Sequence, residues 1–406
     1  MRAKANKYDV IIVGGGPVGL ALAASLVRFC EGISVAICDR RPFEVPNDAR
    51  ASALGAGVTR VFEALDLWDA MAPAASAVNR MKITDSGAND ISRPLFLGFE
   101  GDVLPGRPYA QLVPNKTTIG VLLEAVRKKV NLIAPIAIEA FEADAISARL
   151  RCADGRVLEA PLVVAADGAQ SGLRAMAGIE TIGHDYDQMG IVTTIEHERD
   201  HENTAFEHFR PAGPFASLPL PGRFSSLVWT ERTEDARRLH TLSASELEPL
   251  IEQAMGSVLG KVHIRDQVQA FPLRLQIARE FIAPRLALVG DAAHVVHPIA
   301  GQGLNLGIKD IAILAEVLIE AVRLGQDHGA IDVLEKYQRA RRFDTALMAL
   351  ATDGLNRLFS NEIAPLRILR DTGLGIVDRL PPLKTGLIRH AAGVLNAPRL
   401  MQGLPI

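Results

Sequence analysis

The run IIVGGGPVG, residues 11–19, constrains this chain more than any other stretch. Gly14, Gly16 and Gly19 stand at the spacing G-x-G-x-x-G. They follow a short β-branched run, YDVIIV, and open PVGLALAASLVRF, whose alanines and leucines fall at helical spacing. A second apolar run, SVAICD, ends on Asp39. Strand, glycine turn, helix and strand in that order predict a parallel pair joined by a crossover helix. In such a unit Gly14 permits a tight turn, Gly16 lets the backbone approach a pyrophosphate, and Gly19 lets the helix pack closely on the strand. The helix start offers free N–H groups and the positive end of a dipole, and Asp39 can accept hydrogen bonds from a ribose diol. The plainer alternative is a simple glycine turn with a solvated aspartate.

The rest of the chain limits what surrounds this unit. With 406 residues, 48% hydrophobic and 22% charged, the composition is that of an ordinary globular protein of two or three domains. A net charge of −3 gives no reason to expect nucleic acid as a partner. Cys30, Cys38 and Cys152 form no CxxC or Cys/His pattern, which suits a reducing cytoplasm. The N-terminus is basic, but GGGP interrupts the apolar run that a secretory signal needs. No window of about 18 residues is continuously apolar, so no membrane-spanning helix is expected.

Residues of about 50–130 read as mainly helical, most clearly VTRVFEALDLWDAM and KTTIGVLLEAVRKKV. Strand-like runs around ADGR, near Asp154, read as a hairpin. PLVVAADGAQSGLR is another buried strand entering a glycine turn. From about 180 to 275 apolar and polar residues alternate, which predicts an antiparallel sheet. RLALVGD returns to the buried-strand pattern, and the remainder reads as helical. The expected fold class is α/β. Its Rossmann-like cofactor domain has strands at 8–13, 33–38, 161–166 and 286–290, and an antiparallel-sheet substrate domain is inserted between the last two. The expected boundaries are 1–75 with 105–175 and 280–335 for the cofactor domain, 76–104 and 176–279 for the substrate domain, and 336–406 for a helical C-terminal region. A single G-x-G-x-x-G near the N-terminus, with further strand–glycine segments far downstream, favours FAD held along the chain over a nicotinamide dinucleotide.

The stretch ALVGDAAHVVHPIAGQGLNLGIKD, residues 287–310, sets an acid, two histidines, a proline and a glycine cluster at a strand-to-helix junction. Asp291 falls at a strand's carboxyl end, where doubly wound sheets bind ligands. AGQGLNLG opens a helix whose N–H groups favour nearby negative charge, and its glycines let backbone approach a flat ring. His294 and His297 have the i, i+3 spacing of metal ligands, but no further ligand follows at suitable spacing, and Pro298 with the glycines argues against helix there. No metal site is expected. Packing or hydrogen bonding near the pocket is the expected role, and neither histidine is read as a catalytic base.

Three segments in this order, GGGPVG with CDR, VVAADGAQSGLR, and the late stretch with Gly290-Asp291, resemble the single-component FAD-dependent aromatic hydroxylases, the group that contains para-hydroxybenzoate hydroxylase. HPIAGQGLNLGIKD is similar to the signature of the ubiquinone-biosynthesis hydroxylases. DARASAL (residues 48–54) and TDGLNRLFSN near the C-terminus also resemble that subfamily. The resemblance covers essentially the whole chain and implies a role for each matching residue. Gly14, Gly16 and Gly19, with Pro17 and Val18, would cradle the FAD pyrophosphate, and Asp39 followed by Arg40 would hold the adenosine end. Arg50 would contact phosphates or ribityl oxygens, Gln111 would lie beside the cofactor, and Asp167 would support the pyrophosphate region. Asp291 would bind the ribityl chain. Pro298, Gly301 and Gly303 would line the bend beneath the flavin, and Leu304 and Asn305 would present backbone N–H groups to the isoalloxazine. A surface salt bridge for Arg50 and a plain turn for Asp167 remain open.

The implied activity is hydroxylation of the ring of a polyprenylated phenol through a flavin C4a-hydroperoxide. NAD(P)H or another electron donor would be the reductant and dioxygen the co-substrate, with no side-chain catalyst assigned. Rival readings are a hydroxylase of a soluble aromatic, a flavin reductase of isoprenoid double bonds, a halogenase, and a non-catalytic FAD-binding subunit of a biosynthetic complex. The halogenase pattern WxWxIP is absent, since Trp68 and Trp229 stand alone. After residue 337 the chain carries ten Lys and Arg against five acids, and IAPLRILRDTGLGIVDRL interleaves arginines with Leu, Ile and Val. That fits a membrane surface, at the periphery of the inner membrane, or a partner such as a ubiquinone-biosynthesis complex or a second copy. An ordinary helical cap with solvated arginines fits equally.

Overall fold

The β-branched runs gather into one six-stranded sheet. In the computed structural model its order is Ile282–Ala283, Leu286–Leu288, Leu162–Ala165, Val10–Val13, Val35–Cys38 and Asn131–Ile133. All neighbours run parallel except the Ile282–Ala283 edge. Every residue of the strands at 10–13, 35–38, 162–165 and 286–288 is buried. Helices cover a parallel sheet on both faces, so its strands are continuous apolar runs with no polar alternation. The helix Pro17–Phe29 packs on this sheet and against the helix Gln302–Arg323. The hairpin about Asp154 is present, Ala148–Cys152 with Val157–Ala160, in a small four-stranded sheet. The structure describes residues 6–85, 95–256, 258–360, 386, 389, 392–395 and 397–406.

The alternating region forms most of a nine-stranded sheet whose long strands are Thr181–His197, Phe224–Arg232 and Gln269–Ala278. The architecture is therefore α/β, a Rossmann-like parallel sheet beside a large, mostly antiparallel one. His294–Val295 pairs with Ile277 and Gln276 at the edge of the large sheet. The late motif thus leaves one sheet at Leu288 and joins the other six residues on.

Three readings need correction. Residues 50–130 are not mainly helical. The helices Ala56–Ala64, Trp68–Met71 and Asn115–Val126 are present, but Ala51–Gly55, Ser76–Val78 and Ala110–Pro114 form a three-stranded sheet, and Arg80–Asp85 and Leu95–Glu100 join the large sheet. ASALG has little β-propensity of its own; its strand is held by Asn305, 250 residues away, which accepts from Gly55 N at 2.8 Å and donates to Ala53 O at 2.8 Å. Second, the alternating region also contains two helices, Thr233–His240 and Ala244–Met255. The second starts at a capping box, Ser243 with Glu246, which SASE encodes legibly. Third, the helix Ile331–Phe359 passes through residue 336 without a break. The segment IAPLRILRDTGLGIVDRL and the final Asn361 of TDGLNRLFSN lie outside the described residues.

Candidate cofactor site and active site

The carboxyl ends of the parallel strands open into a cavity of about 1040 Å³ whose far wall is the large sheet. That volume is at the top of the usual range for small-molecule sites. Val13, Cys38, Ala166 and Val289, at or just beyond four strand ends, form its floor. Two helices begin at this floor. Pro17 takes the first position of one, after Gly16, and Gly301 at φ +63° starts the other; neither start has a side-chain cap. Both leave backbone N–H groups facing the cavity without intrahelical partners.

Glycine chemistry sets how close these pieces come. Gly14 has φ +120°, and a Cβ there would stand 2.1 Å from Ala166 O, so the turn and the neighbouring strand end admit no side chain. A Cβ on Gly19 would stand 2.1 Å from Gly14 O, so the third glycine serves helix-to-turn packing and does not line the cavity. Gly16 and Gly303 meet nothing within 4 Å, which leaves backbone exposed for a ligand's approach. Cβ atoms at Gly290 and Gly307 would meet Val18 Cγ2 at 3.1 and 2.7 Å. Val18 is therefore the point where the first and last motifs touch.

Most of the other residues singled out in the sequence line this cavity, namely Asp39, Arg40, Arg50, Asp167, Asp291, Pro298 and Leu304. Asp39 ties the first turn, accepting from Gly15 N at 2.7 Å and Arg41 N at 2.8 Å. Arg50 is held by Asp48, with Nε at 2.9 Å and a terminal nitrogen at 2.8 Å, and its guanidinium lies 4.8 Å from the centre of the Phe271 ring. The Asp48 hydrogen bonds push the Arg50 pKa up despite burial. Asp167 accepts from Ser171 Oγ at 2.5 Å and Leu173 N at 3.3 Å, fixing the turn into the short helix Gly172–Met176. Asp291 opens onto the cavity yet is enclosed by the fold. That enclosure raises its carboxyl pKa, against the opposing pull of His294 and Arg50. Gln111 does not line the cavity; it sits in Ala110–Pro114, paired with Leu54 and Ala77. The Asn305 side chain is also directed elsewhere, to Gly55, Ala53 and Gly301.

Sequence reasoning missed the support behind the floor. Asp310, wholly buried, accepts from Gly290 N at 2.8 Å, His294 Nε2 at 2.6 Å and Arg341 Nε at 2.6 Å. Burial opposes its charge, but His294 and Arg341 hold the carboxyl below its usual range. Tyr337 donates to Leu288 O at 2.7 Å, and Arg174 donates to Ala292 O and Ala169 O at 2.8 Å each. These groups hold the Gly290-Asp291 turn from beneath. Asp310 had a signal, as the last residue of the late motif; Arg341 and Arg174 had none. His297 is fully buried with neither ring nitrogen hydrogen-bonded among the described residues, its ring edge-on to Tyr186, and burial lowers its pKa to about 4.

Beyond the floor the walls turn apolar. Met81, Val192, Ala205, Leu218, Val228 and Leu273 form a chamber continuous with the cradle. Polar groups are few there. Glu207 is the carboxylate contributed by the large sheet, and Tyr109 lies within its field. Burial, with the Glu207 charge adding, pushes the Tyr109 pKa up to about 12.

Residues 7–349 match the family described as FAD binding domain. Ubiquinone hydroxylase UbiL of Rhodospirillum rubrum is 41% identical over 98% of this chain and 93% of its own length. 3-demethoxyubiquinol 3-hydroxylase of Escherichia coli is 33% identical over 95% of this chain and 98% of its own. The crystal structure of p-nitrophenol 4-monooxygenase PnpA of Pseudomonas putida DLL-E4 has the same fold, with a TM-score of 0.79 at 20% identity over 95% of this chain and 99% of that one. The family match and the hydroxylase relatives define the class, an FAD-dependent monooxygenase, and a dinucleotide cradle opening into an apolar chamber fits it. The chain belongs to the FAD binding domain family, and within it to the branch of the ubiquinone hydroxylases. The residues present fit that cofactor, with two uncapped helix starts for its anionic parts and side-chain-free backbone at Gly16 and Gly303.

Proposed function

We propose that this protein hydroxylates the aromatic ring of a polyprenylated phenol in ubiquinone biosynthesis, with NAD(P)H or another donor as reductant and dioxygen as co-substrate. One observation carries the reading: the cofactor cradle and an apolar chamber are a single cavity. The bound FAD would supply the redox and oxygen-transfer chemistry. The chain's own residues bind, orient and exclude water. The helix start after Gly16 would hold the pyrophosphate, Arg50 and Asp291 would hold the ribityl region, and the N–H groups from Gly303 onward would hold the flavin ring. The chamber walls exclude water from the reacting ring. Tyr109 and Glu207 address the substrate hydroxyl, one donating and the other accepting. Residues 1–75, 105–175 and the chain from 280 into the helix Ile331–Phe359 serve mainly the cofactor, and 76–104 and 176–279, together with Tyr109, serve the substrate. Among the described residues no helix is long and apolar enough to cross a membrane. In this reading the enzyme works in the cytoplasm at the surface of the membrane that holds its substrate.

The test is turnover by purified protein. It should show a flavin spectrum and oxidise NADH or NADPH faster when a prenylated phenol is added. Mass spectrometry should find the phenol one oxygen heavier. Protein that binds no FAD, or oxidises the donor at a rate indifferent to phenols, overturns the reading. Turnover of small soluble aromatics alone overturns its substrate class.

A further inference from the structure

The helix Ile331–Phe359 has two apolar faces, and among the described residues the fold covers only one. Its inner face, including Tyr337, Ala349 and Phe359, is buried. On the outer face Phe343 is 77% exposed, Leu347 45%, Leu350 71% and Leu355 37%. Ala346, Ala351 and Gly354 are exposed between them. The spacing i, i+4, i+7, i+12 makes one stripe along three turns. No charged residue is exposed between 343 and 355.

The charges are sorted about this stripe. Asp344 and Asp353, the acids of these turns, face inward. Asp344 takes Arg341 at 2.6 Å and Lys309 at 3.0 Å; Asp353 takes Arg357 at 2.9 Å and His184 at 3.2 Å. The exposed charged residues from 338 to 360 are Arg339, Arg342 and Arg357. Among the described residues, Arg339 and Arg342 make only exposed pairs, with Glu335 at 3.8 Å and Glu280 at 3.3 Å, which solvent weakens. An apolar stripe rimmed by arginines is the composition of a helix that lies in a lipid interface. The stripe is too small for a dimer seam. Thirteen residues of helix give about 20 Å by 10 Å, on the order of 200 Å², against roughly 800 Å² per partner in a stable protein interface. Its position also favours lipid. On the inner side of the same helix Ala349 packs with Val296 and Phe359 with Ile299, and both Val296 and Ile299 line the cavity.

We propose that the outer face of this helix seats in the interfacial layer of a bilayer carrying anionic phospholipid, which brings the cavity wall up to the membrane that dissolves the substrate's tail. The delivery half of this inference rests on the proposed polyprenylated substrate; the seating half does not.

The experiment is flotation of the FAD-loaded full chain with mixed phosphatidylcholine and phosphatidylglycerol vesicles. The wild type should float with the vesicles, and less so at high salt. Phe343→Glu with Leu350→Glu should lower the bound-to-free ratio about tenfold or more, while Phe343→Trp with Leu350→Trp keeps it. Both changes are at exposed positions, so flavin content, melting temperature and turnover of a tailless phenol should match the wild type. A wild type that stays in solution overturns the proposal, as does equal flotation of the glutamate variant. A wild-type dimer that the glutamates disperse overturns it in favour of a second copy. Flotation involves no turnover. If the glutamates abolish binding but no prenylated phenol is ever hydroxylated, the lipid seat stands and the functional reading falls.

Discussion

The cavity has two halves built by different means. The cradle is made of backbone, from glycines, helix starts and strand ends drawn from residues 13–19, 166–172 and 289–304. The chamber is made of side chains, from ordinary apolar residues on alternating positions of a large sheet. Backbone recognition needs residues that stay out of the way, and that need is written as glycine at fixed spacing. Side-chain recognition needs only shape and low polarity, which many combinations of Val, Leu and Ala supply. The same cavity is therefore conspicuous in the sequence on one side and nearly silent on the other.

Substitutions can break this contrast or sharpen it. Gly14→Val should act most strongly, because its Cβ would meet Ala166 O at 2.1 Å on a backbone at φ +120°. Loss of bound FAD and a destabilisation on the order of 4 kcal/mol are expected, read by flavin absorbance and thermal unfolding. A Gly14→Val protein that keeps its flavin and its melting temperature would show that the cradle is not built by backbone contact. Arg341→Met comes next. It leaves buried Asp310 with only His294 and the Gly290 N–H among the described residues, and should cost about 3 kcal/mol. Flavin should be lost in parallel with stability in a denaturant titration, because Asp310 holds the Gly290 turn.

His297 gives a pH signature. Its folded pKa is about 4, below the roughly 6.5 of an exposed histidine. The unfolded chain takes the proton first as the pH falls, so the neutral ring's contribution is complete above about pH 6.5 and drains away toward pH 4, by about 3 kcal/mol. His297→Leu should flatten the fall in melting temperature between pH 7 and 4.5; an unchanged slope removes His297 as its source. The smallest effect belongs to the chamber. Glu207→Gln should lower kcat/KM about tenfold through one weakened polar contact. Flavin content should not change. A flavin loss here would erase the division between the two halves.

Legibility followed the same division. The strands at 10–13, 35–38, 162–165 and 286–288 were readable because strands buried on both faces must be continuously apolar. Ala51–Gly55 was not readable, since small residues favour no structure locally and its partner strand lies some 60 residues on. Among the residues singled out, Arg50 and Asp291 reach the cavity, whereas Gln111 does not line it and Asn305 is turned into a brace. A motif gives a residue's neighbours in sequence, but not where its side chain points. Arg341 and Arg174 brace the floor through partners 31 and 118 residues away, so no local pattern marks that role.

The sequence by itself determined that a strand, a side-chain-free turn and a helix start would present backbone donors to an anionic dinucleotide, because those demands are local and only glycine meets them. It also determined the order in which the later strand–glycine segments would appear. Tertiary structure alone decided that Val18, Gly290 and Gly307 meet, that Asp310 braces the floor, and that an apolar sheet closes the cavity into a reaction chamber. Those contacts join residues from 20 to nearly 300 positions apart. They form through burial and hydrogen bonding, which act on whatever the fold brings together and leave no spacing to read.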